Sequence, residues 1–338
     1  MSSIKDIAKI CGVSVATVSK ALNDKDDIGE ETKKRIKEVA KENGYFPQYY
    51  ARAIRMNKSY NIGVLFVDEA MSGLTHDYFA NILNSFKVNA ESKGYDITFI
   101  NSNKRYRNGK TYLEHCRYRG LDGVMIACIP FENPEVIELL KSDIPVVTID
   151  YKFDGRISIM SDNVTGMREL TEHVISMGHT RIAYISGEMS SVTNQRLESF
   201  NEVVAKYHLT IPMEYRVTSG YRNLKKAAEY TRQLLELPIP PTCILYADDY
   251  SAVGGINQIR EMGLRIPEDI SVAGFDDIFV ARQLEPKLTT VFQNSEKIGK
   301  KAAEKLIALI EDKNVSMKPV KVRTELKERA SVKKLYRE

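Results

Sequence analysis

Residues 4–54 read IKDIAKICGVSVATVSKALNDKDDIGEETKKRIKEVAKENGYFPQYYARAI and contain three consecutive helix patterns. The first two patterns are short and are separated by Gly12, where a positive φ angle is cheap because glycine has no Cβ. Ser14 is a favourable N-cap for the second helix, and Val18 and Leu22 recur on its buried side. Two short helices joined by a tight turn are typical of a helix-turn-helix unit.

The flanking residues complete this all-α unit. Ser3 and Asp6 have the spacing of a capping box at the start of the first helix. A third, charged helix is expected over residues 30–43, with Gly44 at its end. Gly29 precedes it as a weaker N-cap than serine.

Charge distinguishes this segment from the rest of the chain. Residues 1–59 contain 12 Lys and Arg against 8 Asp and Glu, a net charge of +4. The remaining residues contain 49 − 12 = 37 basic and 45 − 8 = 37 acidic side chains, a net charge of zero. The positive excess therefore lies in the segment expected to meet phosphate, as nucleic-acid binding requires.

Length and composition exclude several classes of protein. A chain of 338 residues predicts two to three domains. It contains no run of 18 apolar residues and no apolar signal stretch, so we expect a cytoplasmic protein without a membrane span. The cysteines and histidines show no ligand spacing, which predicts reduced thiols and neither a metal site nor a cofactor. The four cysteines are Cys11, Cys116, Cys128 and Cys243.

After residue 60 the pattern changes to alternating strands and helices. NIGVLFVD (61–68) and YDITFINSN (95–103) read as buried strands, separated by an amphipathic helix over 78–94. A second winding of this kind is predicted to start near Ile157. Two such units in tandem predict two Rossmann-like α/β subdomains with parallel sheets and a ligand cleft between them.

Short motifs of the second region, together with residues 4–54, resemble the LacI/GalR (lactose-repressor) family of bacterial transcription regulators. The motifs are SDNVTG (161–166), GHTRI (178–182), ADDYSAVG (247–254), IPEDISVAGFDD (266–277) and LTTVFQ (288–293). The resemblance implies a helix-turn-helix headpiece followed by an effector domain with the fold of periplasmic binding proteins.

The same resemblance implies domain boundaries. The headpiece is expected over 1–47, a hinge helix or linker over 48–59, and an effector-binding and dimerisation domain over 60–338. Its N-subdomain would comprise about 60–160 and 291–320. Its C-subdomain would comprise about 161–290 and 321–330.

The family resemblance also implies which headpiece residues meet DNA. The start of the second helix enters the major groove, so Val15, Ala16 and Lys20 are the expected base-reading positions. Alternatively, they are helix fillers and a solvated charge. The expected phosphate contacts are Thr17, Ser19, Asn23 and Tyr45.

Ile54 matches the apolar lever of the family's hinge helix, which wedges into a central base step of the minor groove and kinks the duplex. Gln48 and Ile54 depart from the Asn and Leu usual at these positions. The alternative is an ordinary polar linker.

Effector contacts are expected at strand ends and adjoining loops, as the resemblance implies. Carboxylates and arginine suit vicinal hydroxyls, and aromatic rings cover apolar sugar faces, so a neutral sugar is favoured. Capping of a helix is the alternative role for the strand-end aspartates. The expected residues are Phe79, Asp150, Arg196, Tyr221, Asp248, Asp276 and Gln293. His76 and Asp77 depart from the family's usual short Asn-Pro loop.

The leading hypothesis is a homodimeric repressor that binds a near-palindromic operator and responds to a small ligand. A purine or a phosphoprotein coeffector is the runner-up within the family. A solute-binding protein would share the fold, but it would lack the headpiece. An enzyme is not favoured, because the sequence contains no GxSxG, P-loop or GxGxxG motif, and we assign no catalytic residue.

Overall fold

The computed structural model describes residues 2–45, 58–68, 73–312 and 314–335. These residues form two compact units, residues 1–60 and residues 61–338. Ile54, the expected lever, and Gln48 lie outside the described residues.

Three helices form the first unit: α1 (Ile4–Cys11), α2 (Val15–Leu22) and α3 (Glu30–Glu42). The capping box is confirmed, since Ser3 N donates to Asp6 Oδ2 at 2.8 Å and Asp6 N donates to Ser3 Oγ at 3.3 Å. Gly12 closes α1 with a φ of 63°. Thr17 N donates to Ser14 Oγ at 3.0 Å, which caps α2. Gly29 starts α3 without a side-chain cap.

The headpiece core is small and comes entirely from these three helices. Its members recur at helical spacing, so each helix buries one face. The buried residues are Ile7, Ala8, Cys11, Val18, Ala21, Ile36 and Ala40.

The second unit contains twelve strands and eight helices in its described residues. The strands are β1 (Asn61–Phe66), β2 (Asp96–Phe99), β3 (Gly123–Ala127), β4 (Val146–Ile149), β5 (Ile157–Ser161), β6 (Ile182–Ser186), β7 (Arg216–Thr218), β8 (Cys243–Tyr246), β9 (Ser271–Ala273), β10 (Thr290–Phe292), β11 (Val320–Val322) and β12 (Glu325–Lys327). The helices are α4 (Asp77–Glu91), α5 (Tyr112–Arg119), α6 (Pro134–Lys141), α7 (Asn163–Ser176), α8 (Ser191–Lys206), α9 (Leu224–Leu235), α10 (Asp249–Glu261) and α11 (Ser295–Glu311).

Two parallel sheets organise the second unit. The first has the strand order β11-β5-β4-β3-β1-β2, and the second has the order β7-β6-β8-β9. The central strands of both sheets are buried, which matches their continuous apolar sequence. Helices α4 and α11 pack together against the first sheet, while α7 and α8 pack together and contribute Met167, Leu170, Phe200 and Val203 to the core of the second. The expected α/β architecture is confirmed.

The expected start of the second winding near Ile157 is wrong. β5 pairs in parallel with β4, Val147 opposite Ile157, and therefore belongs to the first sheet. β11 then pairs with β5 from the far end of the chain, Val320 opposite Ile159. An apolar run specifies a strand but carries no information about its sheet, and this assignment depends on pairing between distant segments.

The chain passes between the two sheets at three places. Asp162 N donates to Val322 O at 2.9 Å where β5 ends and α7 begins. β10 and β12 pair antiparallel beside this point, with Val291 opposite Leu326. The passages therefore lie after β5, around β10, and between β11 and β12. None of the helices described here is long and apolar enough to cross a membrane.

Candidate DNA interface and effector cleft

Helix α2 presents the three expected base-reading side chains on its exposed side. Val15 is 40% exposed, and Ala16 and Lys20 are also exposed. Val18 and Ala21, on the opposite side, are fully buried in the headpiece core. The helix therefore has one anchored face and one free face, the arrangement that groove binding requires.

Lys20 is paired with an acidic side chain of the headpiece. Its Nζ contacts Asp27 Oδ2, and both side chains are about half exposed. An exposed pair of this kind contributes little to stability, so the Lys20 ammonium can leave Asp27 at small cost. A surface concavity of about 520 Å³ surrounds this pair, lined by Ala16, Ser19, Lys20, Lys25, Asp26 and Asp27.

The expected phosphate contacts have different environments. Thr17 Oγ1 lies 2.9 Å from Ser14 Oγ at the helix cap. Asn23 Nδ2 donates to the Ser19 carbonyl at 2.6 Å, so the amide closes the end of α2. Tyr45 packs against the headpiece core, and burial raises the pKa of its phenol. These contacts give Thr17, Asn23 and Tyr45 a part in holding the local structure of the headpiece.

Asp150 closes β4 in the second unit, at a φ of 55°. Its carboxylate accepts a hydrogen bond from Tyr78 Oη at 2.7 Å and another from Ser161 N at 3.0 Å. Burial raises the pKa of this carboxyl, and the two donors oppose the rise. Asp150 is thereby fixed at the carboxyl edge of the first sheet, where ligands bind in open α/β folds.

Arg196 is the most constrained of the expected ligand residues. It is 3% exposed and lies on α8. Nε donates to Asn163 Oδ1 at 2.9 Å, and Nη1 donates to the Ala247 carbonyl at 2.8 Å. The guanidinium carbon lies 3.6 Å from the centre of the Phe275 ring. Among the described residues, no hydrogen bond occupies Nη2, which leaves donors for a bound molecule.

Tyr221 lies beside this arginine, with its ring centre 5.9 Å from the guanidinium carbon. Its hydroxyl lies 2.9 Å from Thr193 Oγ1. The ring covers Gly187 so closely that a Cβ there would approach it to 2.3 Å. Glycine is therefore required after β6 for the tyrosine to occupy this position.

Asp248 caps the N-terminus of α10, which was the alternative to an effector contact. One carboxylate oxygen accepts from Ser251 N at 2.8 Å, and the other accepts from Ser251 Oγ at 2.9 Å and Arg222 N at 2.8 Å. The residue is 3% exposed. These bonds engage both of its oxygens in the start of α10 and the adjoining turn.

Asp276 and Gln293 are brought together from distant segments. Gln293 Nε2 donates to Asp276 Oδ1 at 2.6 Å. Burial raises the pKa of Asp276 to about 7, against the lowering effect of Arg196. Its carboxyl can thus accept or donate a hydrogen bond near neutral pH. Both residues line a cavity of about 330 Å³, with Asp77, Tyr78, Asn81, Asp277, Ile278, Phe279, Arg282, Phe292 and Ser295.

Phe79 belongs to an aromatic cluster at the start of α4. Its ring centre lies 5.6 Å from that of Phe66, 4.9 Å from that of His76 and 5.1 Å from that of Tyr78. The 330 Å³ cavity includes Asp276 and Gln293, but Phe79, Asp150, Arg196 and Tyr221 are not in its lining. Within the described part of the chain, no cluster of His, Cys, Asp or Glu is placed to hold a metal ion.

Sequence reasoning missed the residues that hold the expected ones in place. Tyr78 fixes Asp150, Asn163 and Phe275 hold Arg196, and Arg222 contacts Asp248. Asn163 and Phe275 lie inside the motifs SDNVTG and AGFDD. The motifs marked the segments, but the identity of each partner depends on the folded arrangement.

Comparison with known proteins agrees with both units. The sequence profile described as "Bacterial regulatory proteins, lacI family" matches residues 3–48, and that of a "Periplasmic binding protein-like domain" matches residues 171–332. The chain is 34% identical over 340 residues to the probable HTH-type transcriptional repressor ExuR of Bacillus subtilis, covering 99% of each. It is 30% identical over 343 residues to the HTH-type transcriptional repressor PurR of Photobacterium profundum, covering 99% of this chain and 100% of that protein.

Solved structures give the same result. The lac repressor dimer bound to operator and the anti-inducer ONPF is 25% identical, with a TM-score of 0.84 over 98% of this chain and 99% of that one. The complex of transcriptional regulator CelR with cellobiose shares the fold at 22% identity, with a TM-score of 0.73 over 98% of this chain and 100% of that one.

The headpiece and the two-sheet effector unit together define a ligand-responsive transcription regulator. The chain belongs to the lacI family of bacterial regulatory proteins. It is a DNA-binding transcriptional repressor with an effector domain for a small molecule. The family resemblance of its motifs is confirmed.

Proposed function

We propose that this repressor acts as a cytoplasmic homodimer whose operator affinity is controlled by a sugar bound between the two sheets of the effector unit. The observation that carries the proposal is the fixed guanidinium of Arg196, with Nη2 donors available beside an aromatic ring. Two regulators of the same fold support it: the lac repressor forms a dimer on its operator, and CelR binds cellobiose. Because the family consists of DNA-binding transcriptional repressors, we assign no catalytic activity to this chain.

The chemistry of the cleft favours hydroxyl groups. Arg196 supplies donors, Asp150 supplies a partly buried acceptor, and Asp276 has a pKa of about 7 and can do either. Tyr221 and Phe79 provide ring faces for the apolar side of a sugar. We assign direct contacts to Arg196, Asp150 and Asp276 and a capping role to Asp248, with Gln293 orienting Asp276.

A screen of mono- and disaccharides against the full chain, by calorimetry or thermal shift, tests this assignment. Arg196→Gln and Asp276→Asn should each reduce affinity for the sugar found by about 30- to 150-fold, since each removes a hydrogen-bonding partner of a buried hydroxyl, worth roughly 2–3 kcal/mol. Glu229→Gln, on the same subdomain but outside the cleft lining, is the control. A sugar that binds all variants equally would place the site elsewhere, and a hit only among purines would favour the runner-up.

Substitution of Arg196 should also lower the stability of the fold, because its side chain is buried and hydrogen-bonded. Its substitution breaks two hydrogen bonds in the interior, so the melting temperature should fall as well. Asp276→Asn is the cleaner variant because it keeps the side-chain shape.

For the DNA side, we propose that Val15, Ala16 and Lys20 read bases and that Thr17, Ser19, Asn23 and Tyr45 border phosphates. Lys20→Ala should cost about 1–3 kcal/mol at one operator position and little on random DNA, because Lys donates to guanine. Lys25→Ala, in the same concavity, should weaken both DNAs alike. Equal losses for Lys20→Ala on operator and random DNA, in salt-matched titrations, would make Lys20 a phosphate contact.

The hinge is proposed from sequence alone. Ile54→Ser should weaken operator binding far more than binding to random DNA, because a wedge contributes only where the duplex is kinked. Gel-shift titrations on both DNAs measure the difference, with the adjacent Ala53→Ser as the control. Equal losses would leave a plain linker.

A further inference from the structure

Among the described residues, an ion pair connects the two sheets across the cleft. Asp77 is the first residue of α4, which packs on the first sheet, and Arg222 lies in the turn between β7 and α9 of the second sheet. Arg222 Nη1 and Asp77 Oδ2 are 3.3 Å apart. The Arg222 side chain is 10% exposed and that of Asp77 is 36% exposed, so solvent screens this pair less than a surface pair.

Arg222 is held in place by contacts within its own subdomain. Its backbone N–H donates to Asp248 Oδ2 at 2.8 Å, and its φ angle is 53°. Its guanidinium carbon lies 3.8 Å from the centre of the Tyr250 ring. A side chain fixed in this way loses little further freedom when it meets its partner, so the ion pair retains more of its attraction.

A second contact crosses the cleft beside the site. Ser191 Oγ, at the start of α8, donates to the Asp150 carbonyl at 3.2 Å. The two contacts are formed by residues at the carboxyl edges of the sheets, through a side-chain ion pair and a side-chain hydrogen bond. They can break when the sheets separate, whereas the covalent passages cannot.

For the Arg222–Asp77 pair, the alternative to a structural role is an incidental contact with no effect on the arrangement of the sheets. The contacts that fix Arg222 and the low exposure of its side chain favour a role in holding the two sheets together.

We propose that the Arg222–Asp77 pair is a latch that holds the two subdomains together and so sets how much effector is needed to change DNA affinity. A ligand shifts a conformational equilibrium only through its differential affinity for the two arrangements. A built-in latch changes the starting populations of the two arrangements and therefore the amount of ligand needed to shift them. The proposal rests on the proposed function only in taking this cleft as the effector site.

The separation of the subdomains can be measured directly in the full chain. Spin labels at Arg105→Cys and Met189→Cys would lie on exposed loops that follow β2 and β6, one on each side of the cleft. A Cys128→Ser background suits the labelling because the other three cysteines are buried. Mixing with excess unlabelled protein restricts the measured distances to one protomer, and no effector is added.

We expect Arg222→Gln and Asp77→Asn each to shift the distance distribution toward longer values, changing the ratio of closed to open populations by about fivefold. The double variant should match either single variant, because both remove the same interaction. Asp77→Glu keeps the charge and should retain the wild-type distribution. Lys206→Gln breaks an ion pair within the second subdomain, Lys206 to Glu172 at 2.7 Å, and should change nothing.

Unchanged distances in both single variants would overturn the latch, as would additive shifts in the double variant. If the melting temperature falls for Arg222→Gln alone, the cause is lost stacking on Tyr250. The distances measured in Asp77→Asn, which keeps that stacking, then decide whether the latch exists. Since no ligand is present, these results are separate from the sugar screen. A screen without any sugar hit would refute the proposed effector and leave the latch measurement standing.

Discussion

The headpiece and the effector cleft are built from interactions of very different range along the chain. The headpiece caps join residues three apart, and its core lies between Ile7 and Ala40. In the cleft, Arg196 bonds residues 33 and 51 positions away, Tyr78 reaches Asp150 across 72 positions, and Arg222 reaches Asp77 across 145. The headpiece is a local structure with a minimal core, and the cleft is a junction of distant segments.

The largest expected effect comes from the small core. Ile36→Ala empties a site that is 1% exposed, which costs about 2–5 kcal/mol. A seven-residue core has little stability to lose, so we expect the headpiece to unfold and operator binding to disappear while the effector unit melts as before. Differential scanning calorimetry and a gel shift measure the two outcomes. The matched control is Ile10→Ala, because Ile10 is 52% exposed. A headpiece that survives Ile36→Ala would show that it depends on contacts beyond its own helices.

Acid should destabilise the effector unit at a higher pH than the headpiece. His179 is fully buried, and burial lowers its pKa to about 4 from 6.5. Between about pH 6.5 and 4, His179 is therefore protonated in the unfolded chain and neutral in the folded one. The free energy of unfolding falls as pH is lowered through this range, by about 3 kcal/mol at the lower end. His179→Gln should remove this part of the pH dependence, so wild type should lose stability relative to the variant on acidification.

The headpiece provides the internal control, because all five histidines lie in the effector unit. The pKa values of Asp6, Asp24 and Asp27 are lowered by their hydrogen-bond partners, so their contribution persists until pH falls below about 4. Denaturant titrations of wild type and His179→Gln at pH 7, 6, 5 and 4 give the comparison. A constant difference between the two proteins across this range would mean that His179 is protonated in the folded state.

A methyl group at Gly187 tests how tightly the cleft is packed. In Gly187→Ala the new Cβ would lie 2.3 Å from the Tyr221 ring, which must then move at a cost of about 1–3 kcal/mol. Melting temperature and sugar affinity should both fall, while operator binding in the absence of effector is retained. Adding Tyr221→Ala should remove the stability cost, because the clash is with this ring. A cost that persists in the double variant would come from the backbone after β6.

The smallest effect is expected at the start of α3, the headpiece helix that begins without a side-chain cap. Gly29→Ser supplies a side-chain acceptor for α3 and should raise headpiece stability by a few tenths of a kcal/mol. Gly29→Ala supplies no acceptor and is the matched control. Thermal melts of the two variants distinguish capping from a reduction in the freedom of the unfolded chain, since alanine would produce only the latter.

Sequence alone determined the headpiece. The capping box, the turn glycine and the buried face of each helix follow from contacts within one or two turns, and the structure has them where the residues place them. Sequence also determined the alternating strands and helices of the effector unit, because a continuous apolar run between polar turns is already a local signal.

Only the tertiary structure decided how those elements are assigned and joined. It placed β5 in the first sheet, directed Asp248 to a helix cap, and brought Arg222 to Asp77. The physical reason is that hydrogen bonds and ion pairs require two groups to meet within about 3–4 Å. When those groups are separated by tens to more than a hundred residues, the path of the whole chain decides whether they meet.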